Sequence, residues 1–169
     1  VRAILAYADV LDSGIGVDID KSEAAQYYQK AAEKGSAKAM YNYAIMLDNG
    51  EGVPQNKDEA AKFYKRAAKG NENAMYNYAL MLQKGECVKQ NLKEAAKYFK
   101  KAANKGCIPA MFAYAVLVEE GNEDEGISQN KKEAAKYYRM AANKGNLKAM
   151  YNYALMLQNG DGVEKNMLE

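Results

Sequence analysis

Apolar residues recur along this chain at helical spacing, in two alternating blocks. In the first block Ala39, Met40, Tyr43, Ala44 and Leu47 fall at i, i+1, i+4, i+5 and i+8. That is a stripe of period near 3.6, where a half-buried strand would alternate. In the second block Ala60, Tyr64 and Ala67 keep the same period, and Lys62, Lys65, Arg66 and Lys69 sit away from them. The first block, Ala39 to Gly50, returns as Ala74 to Gly85 and Ala149 to Gly160, more loosely as Ala110 to Gly121 and faintly as Ala3 to Gly14. Tyr7, Tyr43, Tyr78, Tyr114 and Tyr153 therefore correspond, at steps of 36, 35, 36 and 39 residues. The second block carries Glu-Ala-Ala, two aromatics and an Ala pair, and lies at 23–32, 59–68, 94–103 and 133–142. Each unit reads as an antiparallel helix pair that cannot bury its apolar stripe alone, so neighbours must stack. The expected fold is all-α, a right-handed α/α superhelical solenoid of about four and a half repeats of 35–39 residues.

Punctuation supports these helices. Gly35, Gly70, Gly106 and Gly145 follow the second helices, and Gly14, Gly50, Gly85, Gly121 and Gly160 follow the first, where a left-handed residue ends a helix. Asp20, Asn56, Asn91, Asn130 and Asn166 each precede a second helix, with Glu23, Glu59, Glu94, Glu133 and Glu169 three residues on. The pattern predicts capping boxes, the Asx oxygen taking a free N–H and the Glu reaching back, which assigns these glutamates to structure. The expected units are about 1–35, 36–70, 71–106, 107–145 and a partial 146–169, within one repeat domain over 1–169. The chain starts inside a first helix and stops one turn into a second helix. No polar capping repeat is seen at either end, so a fragment of a longer array is expected.

Composition narrows the chemistry. The 169 residues contain no His, Trp or Thr, and Ser only at 13, 22, 36 and 128, which excludes His-containing hydrolase triads. Two cysteines without His cannot supply a tetrahedral structural zinc site. No catalytic residue, cofactor or metal is expected. The longest apolar run, Cys107 to Val118, is far short of the roughly 18 residues of a membrane span. Lys plus Arg 24 against Asp plus Glu 22 leaves a net charge of +2, too little for a concentrated nucleic-acid-binding field. Lys62, Lys65, Lys69, Lys97, Lys100, Lys101, Lys136 and Arg139 read as a solvated outer face interleaved with glutamates. The run Glu119 to Glu125 is rich in carboxylates but lacks the spacing of an EF-hand, so a solvated loop is expected. Cys87 and Cys107 fall in loops at opposite ends of one helix, roughly 20 Å apart at about 1.5 Å per residue, too far for a disulfide. Free thiols fit a reducing, cytoplasmic compartment slightly better than an oxidising one.

The series Gly50-Glu-Gly52-Val53, Asn56, Ala60, Phe63-Tyr64 and Arg66-Ala67-Ala68 resembles the Sel-one-like repeat, a relative of the tetratricopeptide repeat. Gly14-x-Gly16-Val17 with Asp20 and Tyr27-Tyr28, and Gly160-x-Gly162-Val163, match it too, so the resemblance covers essentially the whole chain. Departures are Tyr43-Ala44 where the family usually has Leu-Gly, Cys87 in place of the second loop Gly, and an expanded loop after Gly121. The resemblance implies an adaptor or scaffold that binds proteins.

By analogy with related grooves, the residues outside the packing stripe of the first helices form the contact set on the concave surface. They are Tyr41, Asn42, Ile45 and Asn49, then Tyr76, Asn77 and Leu80, then Phe112 and Val116, and finally Tyr151, Asn152 and Leu155. Asn offers donor and acceptor to an extended peptide, and Tyr offers large area at little rotamer cost. The third of these sets replaces the amide with Ala113. The competing reading is that the aromatics pack between repeats and the asparagines bond to neighbouring helices. The expected partner is a protein or peptide, with no nucleic acid and no membrane insertion. Two other roles remain open: an architectural part of a large assembly using its convex side and loops, and a regulatory segment of an enzyme lying outside these residues.

Overall fold

A computed structural model of the chain describes residues 1–165. The described residues form nine α-helices: α1 (Arg2–Ser13), α2 (Lys21–Glu33), α3 (Ala37–Asn49), α4 (Lys57–Ala67), α5 (Glu72–Lys84), α6 (Leu92–Asn104), α7 (Ile108–Glu120), α8 (Lys131–Ala142) and α9 (Leu147–Asn159). Odd numbers are the first helices of the repeat and even numbers the second. The fold is an all-α solenoid of repeated helix pairs. The chain divides into two compact units, Val1–Met81 with Glu86–Val88, and Leu82–Gly85 with Lys89–Glu169. In the first, α1 packs on α2, α2 on α3 and α3 on α4; in the second, α6 packs on α7, α7 on α8 and α8 on α9.

Alanine and aromatic residues share the interior. Ala24, Ala31, Ala39, Ala44, Ala60 and Ala67 are wholly buried in the first unit, as are Ala95, Ala102, Ala110, Ala134 and Ala141 in the second. These small side chains let helices approach closely, and large rings fill what remains: Tyr28, Tyr64, Phe99, Tyr137 and Tyr138 are almost wholly buried. Burying a ring such as Phe99 contributes about 2–3 kcal/mol. Within a repeat the two helices are joined edge to face, Tyr7 on Tyr27, Tyr43 on Phe63 and Tyr114 on Tyr137, with ring centroids 4.7, 5.0 and 4.8 Å apart.

The caps form in part as the pattern predicts. Asp20, Asn56, Asn91 and Asn130 accept from the backbone N–H of Glu23, Glu59, Glu94 and Glu133. The reciprocal glutamate arm does not form. The backbone N–H of each capping residue already donates to a carbonyl near the end of the preceding first helix, that of Leu11, Leu47, Leu82 or Val118. Glu59 reaches the Asn56 side-chain amide at 3.4 Å instead, and Glu133 pairs with Lys100 at 2.7 Å. The expected cap Asn166 with Glu169 lies outside the described residues. The first helices have caps of their own in Ser36, Asn71 and Asn146, each accepting from the N–H three residues on, while Cys107 holds the same position without capping the helix through its side chain.

Loop glycines show how one repeat rests on the last. A Cβ on Gly52 would collide with the Lys21 carbonyl, and one on Gly162 with the backbone of Lys131 and Lys132. The loop after each of these first helices is thus pressed on the first turn of the preceding second helix. Between the paired glycines, Glu51 and Asp161 reach that same turn and pair with Lys21 at 3.4 Å and Lys131 at 2.7 Å. Cys87, at the corresponding position, adopts φ 58 and keeps the left-handed turn without a glycine.

Candidate functional site

A polar cluster recurs where a second helix meets the next first helix. At the first such junction the Tyr28 hydroxyl on α2 donates to Asp9 Oδ1 at 2.8 Å, with Asp12 Oδ2 at 3.5 Å. From α3, the Asn42 amide reaches Asp9 at 3.4 Å and lies beside the Tyr28 hydroxyl, and Lys38 pairs with the same carboxylate at 2.7 Å. At the second junction Asp48 and Asn77 lie beside the Tyr64 hydroxyl and act on its titration. In the second compact unit Tyr138 donates to Glu119 Oε2 at 2.6 Å, with the Asn152 amide beside its hydroxyl. The rings of Tyr28, Tyr64 and Tyr138 are buried in the helix interface, so each hydroxyl needs partners there. Burial and the adjoining carboxylate push all three phenols well above their ordinary range, with the asparagine amide opposing the shift.

The remaining junction differs at every position. Counting five residues on from the repeated first-helix tyrosine gives Asp12, Asp48, Gln83 and Glu119. The matching second-helix ring is Tyr28, Tyr64, Phe99 and Tyr138, and the next first helix brings Asn42, Asn77, Ala113 and Asn152. Where the ring lacks a hydroxyl, the amide and the carboxylate are absent as well.

The sequence-expected contact residues lie on the odd helices. In the first unit Tyr41, Asn42 and Ile45 on α3 are half-buried and Asn49 is exposed, donating to Glu51 at 2.9 Å. Tyr76, Asn77 and Leu80 on α5 are half-buried. In the second unit Phe112, Ala113 and Val116 on α7 are half-buried, as is Asn152 on α9, while Tyr151 is 66% and Leu155 38% exposed. Tyr41 rests against Tyr64 and Phe112 against Tyr138, at centroid distances of 6.1 and 5.8 Å. Asn42, Asn77 and Asn152 thus lie at the junctions, and the aromatics beside them keep an open edge. Sequence reasoning left out Asp9 and Asp48, and read Glu119 only as part of the acidic loop. The signal for Asp48 and Glu119 was present in their five-residue offset from the repeated tyrosine.

Other features have structural explanations. A cleft of about 500 Å³ lined by Asn130, Lys136, Arg139, Tyr153 and Val163 lies between α8 and the α9 loop. Tyr153, on its wall, corresponds to Tyr114, whose ring packs on the second helix of its own repeat. The acidic loop is closed on itself: Asn122 pairs with Ile127, caps a short 3-10 turn at Glu123–Glu125, and Ile127 is buried. No group of side chains suited to a metal occurs among the described residues. Neither Cys87, which is exposed, nor Cys107, which is buried, is in a disulfide. Burial and the neighbouring Asp58 raise the Cys87 thiol, which makes it a poorer nucleophile. No helix among the described residues is long and apolar enough to cross a membrane.

The family model described as Sel1 repeat matches residues 1–36, 37–72, 73–107, 108–146 and 147–169. Among solved structures the chain is similar to a Sel1 repeat protein from Oxalobacter formigenes, at 28% identity and a TM-score of 0.87, over 98% of this chain and 67% of that one. It is also similar to a protective antigen present in uropathogenic Escherichia coli strains that displays an SLR fold, at 26% identity and a TM-score of 0.89, over 98% of this chain and 35% of that one. Its likeness to cysteine rich protein B of Helicobacter pylori, at 23% identity, a TM-score of 0.60 and coverage of 79% and 95%, concerns the fold alone. No curated protein matches the sequence.

Proposed function

Since the chain belongs to the Sel1 repeat family, whose members are generally protein-interaction scaffolds and typically non-catalytic, we propose that it is a non-catalytic adaptor holding a peptide or helix along the face of its first helices. In this reading 1–169 act as one repeat domain and the first-helix face is the concave surface.

The observation that carries the reading is the division of exposure on the odd helices. On α3, Met40, Tyr43, Ala44 and Leu47 are buried, whereas Tyr41, Asn42 and Ile45 on the opposite side stay partly open. On α7, Met111, Tyr114 and Ala115 are buried while Phe112 and Val116 stay partly open. Large rings and branched side chains left half-exposed, and fixed by packing on a second helix, offer contact area with little ordering cost. The even helices present mainly lysine, whose long flexible side chain is depleted from interface centres.

Photo-cross-linking in the full-length protein tests this. A benzophenone side chain placed at Tyr41 or Tyr151 is expected to trap a partner, and one at Lys62 or Lys97 is not. Trapping at Lys62 and Lys97 alone would support the architectural role on the opposite face and overturn this proposal.

A further inference from the structure

The junction that lacks the polar cluster changes what the first-helix face offers. Phe99 is wholly buried, but Ala113 is only half-buried, so the loss of the amide reaches the surface. Phe112 and Val116 flank Ala113 on the same side of α7, and Phe112 is held against the Tyr138 ring. Ala113, Phe112 and Val116 thus form an apolar patch where Asn42, Asn77 and Asn152 put an amide. Two turns further along α7 stand Glu119, which holds the Tyr138 hydroxyl, and Glu120, which is exposed. From Ala113 to Glu120 is about 10 Å along the helix, the reach of about three extended residues.

We propose that the Ala113 patch is a subsite for one large apolar side chain of an extended partner peptide, followed about three residues later by a lysine or arginine that meets Glu120 and Glu119. The inference rests on the scaffold reading and adds a sequence preference to it. The charge on α7 selects the basic residue, because its exposed end carries two adjacent carboxylates and no cation. The neighbouring Tyr138 junction, floored by Asn152 and Glu119, favours peptide backbone or polar groups instead.

The test is selection of a displayed library of random peptides, about twelve residues long, on the intact chain, with enrichment read at each position by sequencing. The expected selection is an apolar residue three places before a basic one. Ala113→Asn, which installs the residue found at the other junctions, is expected to lower the apolar preference about tenfold, the effect of one lost apolar contact. Glu120→Lys is expected to remove the basic preference. Melting followed by circular dichroism confirms that each variant is folded. The triple variant Gln83→Asp, Phe99→Tyr and Ala113→Asn, which rebuilds the polar cluster, serves if Ala113→Asn alone is unstable. Selected peptides with another pattern, or enrichment unmoved by these substitutions in folded protein, would overturn the subsite and leave the scaffold reading intact. No enrichment over bare support also overturns the subsite, and cross-links at Tyr41 and Tyr151 then decide the scaffold reading separately.

Discussion

Two junctions in the second compact unit solve one packing problem in different ways. Between α8 and α9 a tyrosine fills the space, and its hydroxyl donates to Glu119 beside the Asn152 amide. Between α6 and α7 a phenylalanine fills it, and Gln83 and Ala113 occupy the other two positions. A buried hydroxyl is costly unless bonded, and a carboxylate and amide facing an apolar ring lose their purpose, so the three positions change as a set. The repeat tolerates either set because the ring volume, which sustains the interior, is nearly the same. What differs is the chemistry left at the surface of the first helix.

Truncating the ring should have the largest effect and should not distinguish the junctions. Tyr138→Ala and Phe99→Ala are each expected to cost about 3–5 kcal/mol in chemical denaturation, because both leave a cavity of ring size. A markedly smaller loss at Phe99 would show that its junction is loosely packed. Removing the carboxylate should separate them. Glu119→Ala is expected to cost about 1–3 kcal/mol by leaving the Tyr138 hydroxyl short of an acceptor, whereas Gln83→Ala should stay within about 0.5 kcal/mol. Phe99→Tyr, which adds a hydroxyl where Ala113 supplies no donor and Gln83 only a neutral acceptor, is expected to cost about 1 kcal/mol.

Alkaline pH gives a gentler separation. Tyr28, Tyr64 and Tyr138 are raised above the ordinary phenol value of 10.0, so the folded state holds them neutral where the unfolded chain ionises. Their contribution is complete below about pH 10 and is lost as pH rises through their higher folded values. Melting temperature should therefore fall above about pH 10. Replacing the three by phenylalanine should make that fall shallower, and an unchanged slope would count against the buried hydroxyl bonds.

Much of the fold was legible in the chain. The 3.6 period of Ala39 to Leu47, the steps between Tyr7 and Tyr153, and the Asx residues before α2, α4, α6 and α8 each report a local constraint, and helices are governed by local constraints. The reciprocal arm of the caps was misread because the N–H groups of Asp20, Asn56, Asn91 and Asn130 are used by carbonyls of the preceding helix, a tertiary contact that spacing cannot show. The partial exposure of Tyr41, Ile45, Phe112 and Val116 was legible as well, since it follows from the packing stripe. The role of Asn42, Asn77 and Asn152 was harder to read, because each cluster draws on three helices of two repeats. It becomes visible only when the columns of Tyr28, Asp12 and Asn42 are compared together, with Phe99, Gln83 and Ala113 as the shared exception.

On this reading the junction set determines what the first-helix face recognises, while the ring volume maintains the fold. The most direct test is to transplant the set, making Glu119→Gln, Tyr138→Phe and Asn152→Ala in one chain and measuring both unfolding free energy and peptide selection. The expected result is stability within about 1 kcal/mol of the parent, since the hydroxyl and its partners leave together, and a second apolar preference in the selected peptides. A loss of several kcal/mol with unchanged selection would contradict it, because the polar cluster would then be a structural necessity with no bearing on recognition.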